Sequence, residues 1–157
     1  MLYFRLRKDA QQWFRDLRAD DSFKLEFDAF YFCFIAGIAE KRKQHAATDA
    51  ASDIVTNFPG RYAERRKLLV ALFLSRELEL LGVTMDEKKD VHASIAALVD
   101  PSAPNDLSDE GVRQFNQYAH GGYEILLHWF SGDRPRSLET FLRIFKQKLD
   151  DALSTTS

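Results

Sequence analysis

Arg113, Asn116 and His120 are the residues of this chain whose types and spacing come closest to chemistry. They lie in the stretch 108–130, SDEGVRQFNQYAHGGYEILLHWF. Seven residues of α-helix advance about 10 Å and return to nearly the same azimuth. A guanidinium and an imidazole on one face could therefore share a phosphodiester. The arginine would hold the phosphate as a fixed fork, and the histidine would move protons. The competing reading is a solvated polar face that ends at the pair Gly121-Gly122.

The elements that must position these groups follow from the pattern around them. Ser108 can cap a helix whose first turn holds Asp109 and Glu110, where the helix dipole favours acids. Val112, Phe115, Ala119, Gly122, Leu126 and Trp129 then fall on one side. Arg113, Gln117, His120 and Glu124 fall on the other. His120, Glu124 and His128 recur every four residues and could place three ligands along one helix. That stripe drifts by about 40° per step. A polar flank with two ordinary histidines is the preferred reading, and no metal or cofactor is expected.

Two resemblances bear on these residues. Arg113-x6-His120 resembles the R-x(4–6)-H pattern of HEPN domains, compact helical domains of prokaryotic defence and toxin–antitoxin systems. FNQYAHGG is similar to the NxYxHG phrase of small helical abortive-infection-type proteins. The resemblance implies Arg113 and His120 as a catalytic pair, with Asn116 as a polar helper. It further implies a metal-independent ribonuclease working at a homodimer cleft, or a relative that keeps only binding or dimerisation. Separately, FKLEFDAFYFCFIAGIAEKRK resembles the opening of small accessory proteins of Dnd-type DNA phosphorothioation loci. That likeness carries no catalytic residue.

The rest of the chain reads as helices. Residues 2–6 form a short strand or lead into the first helix, from about Asp9 to Ala19. A second helix, about Leu25 to Lys43, is apolar nearly all round, with Phe27, Phe30, Tyr31, Phe34, Ile35 and Ile38 as its main stripe. Residues 44–53 look like a mobile connection, and Ile54, Val55 and Phe58 like one helical turn. Pro59-Gly60 turns the chain into a long helix from about Tyr62 to Leu81, apolar on all sides over Leu68 to Leu74 and so expected to be buried, with Gly82 as its stop. Thr84 to Glu87 read as a capping box for a helix to Val99. Ser137 caps a last helix to Leu153. The fold class expected is all-α, a single bundle of five to seven helices over 1–153 with a disordered tail at 154–157. Phe30, Phe34, Ile38, Leu69, Leu72 and Phe73 are expected in its core.

Composition narrows the function. The 157 residues suffice for one real core, and a net charge of −2 argues against a generally basic nucleic-acid binder. Charge is uneven: residues 1–67 carry 13 Lys/Arg against 10 Asp/Glu, and 68–157 carry 9 against 14. The single cysteine, Cys33, forms no internal disulfide and fits a reducing compartment. The N-terminus lacks a secretory h-region, and the apolar run Ala29 to Ala39 is too short to span a bilayer. The expected setting is cytoplasmic. Gly-rich phosphate loops, CxxC pairs, HExxH and nucleophile elbows are absent.

Arg61, Arg65, Arg66 and Lys67 crowd the start of the long helix, where cations are unfavourable. Something anionic should lie near them. A phosphate backbone, an acidic partner surface and pairing with Glu64 or neighbouring acids all satisfy that demand. The leading expectation is a small accessory protein of a prokaryotic defence or DNA-modification system. It would act by binding nucleic acid (RNA or DNA) or a partner protein from the same gene cluster. The alternatives are an active HEPN-type ribonuclease and a purely structural adaptor.

Overall fold

The computed structural model describes residues 2–155, with Thr155 by its backbone alone. In chain order the elements are β1 (Phe4–Arg7), α1 (Lys8–Trp13), α2 (Glu26–Ala39), β2 (Ala51–Val55), α3 (Arg66–Leu80), α4 (Lys88–Leu98), α5 (Asp109–Trp129) and α6 (Leu138–Thr155). The protein is thus mostly helical, but the expectation of a strictly all-α fold is corrected by a two-stranded sheet, β1–β2. β2 grows out of the segment read as a mobile connection and a helical turn. Its pairing partner begins 47 residues earlier, so no local period signals it. The chain divides into two compact units, Val55–Phe115 with the residues up to Phe4, and Arg5–Ile54 with Asn116 onward.

In the first unit, Phe4, Phe58, Phe73 and Phe115 form an aromatic core, with ring centroids 5.1 to 5.9 Å apart. The expected helix 62–81 begins with a 3₁₀ stretch, Gly60–Arg65, and becomes α only at Arg66. Gly82 at φ +71° ends it, and the Val83 amide donates back to the Leu78 carbonyl. The helix is not buried on all sides as its sequence suggested. Leu69 and Phe73 are buried, whereas Leu68 is 58% and Leu72 37% exposed. The capping box at Thr84 does not form. Thr84–Glu87 close a turn, and α4 starts at Lys88 without a side-chain cap. Ser108 caps α5 as expected, its hydroxyl accepting from the Gly111 amide at 3.0 Å.

In the second unit, Trp13, Phe14, Phe23, Phe32, Phe130, Phe141 and Phe145 interlock through edge and stacked contacts. Phe30, Phe34 and Ile38 are buried on α2 as expected. Ser137 accepts from the Thr140 amide and starts α6. α6 extends through Ser154 and Thr155, the first residues of the expected tail; 156–157 lie outside the described residues.

Candidate functional site

α5 runs unbroken through Gly121-Gly122. Both glycines are buried, and the reason is the neighbouring backbone. A Cβ on Gly122 would overlap the Cys33 carbonyl, and one on Gly121 would overlap the carbonyl of Arg42. A Cβ on Gly37 of α2 would overlap the Tyr118 carbonyl. Gly37 and Gly122 thus let α2 and α5 cross with backbones almost touching, and Gly121 admits the chain just beyond α2 equally closely, which no side chain would permit. Beyond α2 the chain stays on α5: the Arg42 amide donates to Gly37, and the Gln44 amide to the Gln117 carbonyl at 3.0 Å.

Other residues of the same string are engaged or covered as well. Asn116 Oδ1 accepts from the Arg5 amide at 3.0 Å and fastens β1 to α5. Tyr118 is fully buried, edge-on to Phe34, with Lys43 Nζ over its ring at 5.3 Å. His120 is 6% exposed, and its Nδ1 has no hydrogen-bond partner among the described residues. Burial, then the positive charges of Arg7 and Arg5 and the His45 imidazole, hold its pKa down at about 4, against a weaker pull from Asp9. The imidazole is neutral at pH 7. Burial likewise pushes the Cys33 thiol up, and pushes Tyr123 up to about 12.

Arg5 and Arg7 are the charged residues of this neighbourhood that sequence reasoning missed. Their alternation with Phe4 and Leu6 is the period-two signal that could have drawn attention to them. Both are engaged. Arg5 Nη2 donates to the carbonyls of Thr48 and Ala51, and its Nε sits 2.9 Å from Asp53 in an ion pair without a linear hydrogen bond. Arg7 forks onto Asp9, reaches Glu124 at 2.6 Å and lies 5.0 Å over the Tyr123 ring.

Arg113 shares the helix with His120 but not its surroundings. It is exposed and paired with Glu110 at 3.1 Å, and Gln114 also donates to Glu110. His120 is covered, where a polar face open to a phosphodiester was expected, because the sequence period places azimuth but not cover. The three-ligand stripe does not assemble either. Glu124 is engaged by Arg7, His128 is exposed, and no group that could hold a metal occurs among the described residues.

The anion demanded by the basic run is Asp106, which the sequence reading did not name. Its Oδ2 lies 3.0 Å from both Arg66 Nε and Lys67 Nζ. Arg66 also donates to the Pro104 carbonyl. Arg61 packs on the Tyr62 ring at 5.3 Å, and Arg65 is exposed at the N-cap of α3. The cluster keeps more positive than negative charge at the surface. No helix among the described residues is long and apolar enough to cross a membrane. Comparison with protein-family models, with curated proteins and with solved structures found no match.

Proposed function

We propose that this chain is a small helical accessory protein of a prokaryotic defence or DNA-modification system, working by binding and not by catalysis. The defence setting comes from the resemblance of its α5 string and its α2 segment. The observation that carries the binding reading is the state of His120, buried and neutral beside Arg5 and Arg7. A general base for RNA cleavage needs hydrogen-bond reach to a substrate hydroxyl, which a covered imidazole lacks. Asn116 of the string is used to hold β1 in place, and the Gln117 carbonyl holds the segment that follows α2. Arg61, Arg65 and Lys67 are exposed together near the start of α3, with Lys67 also paired to Asp106, and such a group suits phosphates or an acidic protein surface.

The test is incubation of the full chain with single-stranded RNA in EDTA, alongside its His120→Gln variant. The reading expects no cleavage by either, together with salt-sensitive retention of nucleic acid or of an acidic partner. Cleavage that leaves cyclic phosphate ends, and that His120→Gln abolishes while Tm holds, overturns it in favour of the HEPN-type ribonuclease with Arg113 and His120 as its pair.

A further inference from the structure

The outer face of α3 is symmetric about its own middle. Arg65, Leu68, Ala71, Leu72, Ser75 and Glu79 are exposed, and Leu74 and Leu78 are half-buried. Arg65 stands seven residues before Leu72 and Glu79 seven after it. The seam Leu68, Ala71, Ser75, Leu78 is spaced three, four, three, and reads large, small, small, large in either direction. Beside it runs an apolar trough. One part, about 280 Å³, is lined by Lys67, Val70, Ala71 and Leu74; the other, about 560 Å³, by Ala71, Leu74, Leu78 and Met85. Ala71 and Leu74 line both parts.

We propose that a second copy of this chain packs antiparallel on α3, across a two-fold axis at the level of Leu72 and Phe73, the seam being centred on position 73 and the Arg65–Glu79 pair on position 72. Such an axis, perpendicular to the helix pair, keeps each flank of the helix on its own side. Leu72 then meets Leu72, and Arg65 of each copy faces Glu79 of the other. Leu68 meets Leu78, and Ala71 meets Ser75, so the small residues let the helix axes approach closely at the centre. Glu79 bonds Arg76 of its own chain at 2.6 Å, and a carboxylate has lone pairs for a second donor. A parallel pairing would set Arg65 against Arg65 and Glu79 against Glu79, which like charges oppose. The seam lies on α3 and uses none of the α5 residues to which the ribonuclease resemblance attaches. It does not depend on the functional reading above.

Sedimentation velocity of the full chain from about 1 to about 100 μM tests this. The expected result is a monomer–dimer equilibrium. Leu68→Glu and Ser75→Arg change exposed positions, so each should leave Tm near wild type while weakening the dimer at least about tenfold. Arg65→Glu and Glu79→Arg should each weaken it, and combining them should restore it to within about threefold. Leu72→Cys should give a covalent dimer with a short bismaleimide, the native Cys33 being buried. A monomer throughout, a dimer indifferent to Leu68→Glu, or a double reversal as weak as the single ones would each overturn the proposal.

Discussion

A single methyl group tests how closely α2 and α5 meet. At Gly122 an added Cβ would overlap the Cys33 carbonyl and stand 2.8 Å from the Gly37 amide nitrogen, both backbone groups that cannot step aside. Gly122→Ala should therefore lower stability by about 3 kcal/mol, measured by urea denaturation. Gly82→Ala is the control. Nothing lies within 4 Å of its Cβ site, and only the positive φ opposes a side chain, at about 1 kcal/mol. Equal costs at the two positions would mean that the crossing is loose. The residue types of this string were legible as a cluster, and Ser108 was legible as a cap. The use of Asn116 and His120 was not. Their surroundings come from Arg5 and Arg7, more than 110 residues away in sequence, and a helical period cannot say which polar face a distant strand will cover.

At the scale of elements, α2 and α3 look alike in sequence and differ in the fold. Both read as apolar on all sides, yet α2 is covered and α3 leaves Leu68 and Leu72 in solvent. Phe34→Ala should cost about 3–5 kcal/mol, as large core truncations do. In the monomer, at concentrations too low for pairing, Leu68→Ala should cost well under 1 kcal/mol, because little of its surface is removed from water within its own chain. A large loss at Leu68 under those conditions would mean that its side chain packs inside its own chain. The helices were legible from their periodicity and caps, with ends wrong by a few residues where 3₁₀ turns intervene. β2 was not, because a strand of AASDIV type gains its hydrogen bonds only from a partner the local pattern does not contain. The basic run at the start of α3 belongs here too. Its cations were visible, whereas Asp106, some 40 residues on, was not. If the run contacts B-form DNA, replacing Arg61 and Lys67 by Gln should reduce the log–log salt slope of binding by about 2. An unchanged slope would place the contact elsewhere.

For the molecule as a whole, His120 couples stability to pH. Its folded pKa of about 4 lies below the unfolded value of about 6.5. The unfolded chain therefore takes up a proton first as pH falls. The stabilisation is full above pH about 6.5, is lost as pH drops toward 4, and is on the order of 3 kcal/mol. Carboxylates contribute their own acid dependence, so the comparison is between variants: His120→Gln should show a flatter fall of Tm between pH 7 and 4 than the wild type. Parallel curves would mean that His120 titrates alike in both states. That His120 is buried and serves the fold is tested by NMR titration of the four histidine imidazoles. The expected result is one resonance, removed in His120→Gln, that stays in its neutral position until pH falls below about 5. A His120 resonance that titrates near 6.5 would contradict it, for that imidazole would be solvated and available for proton transfer.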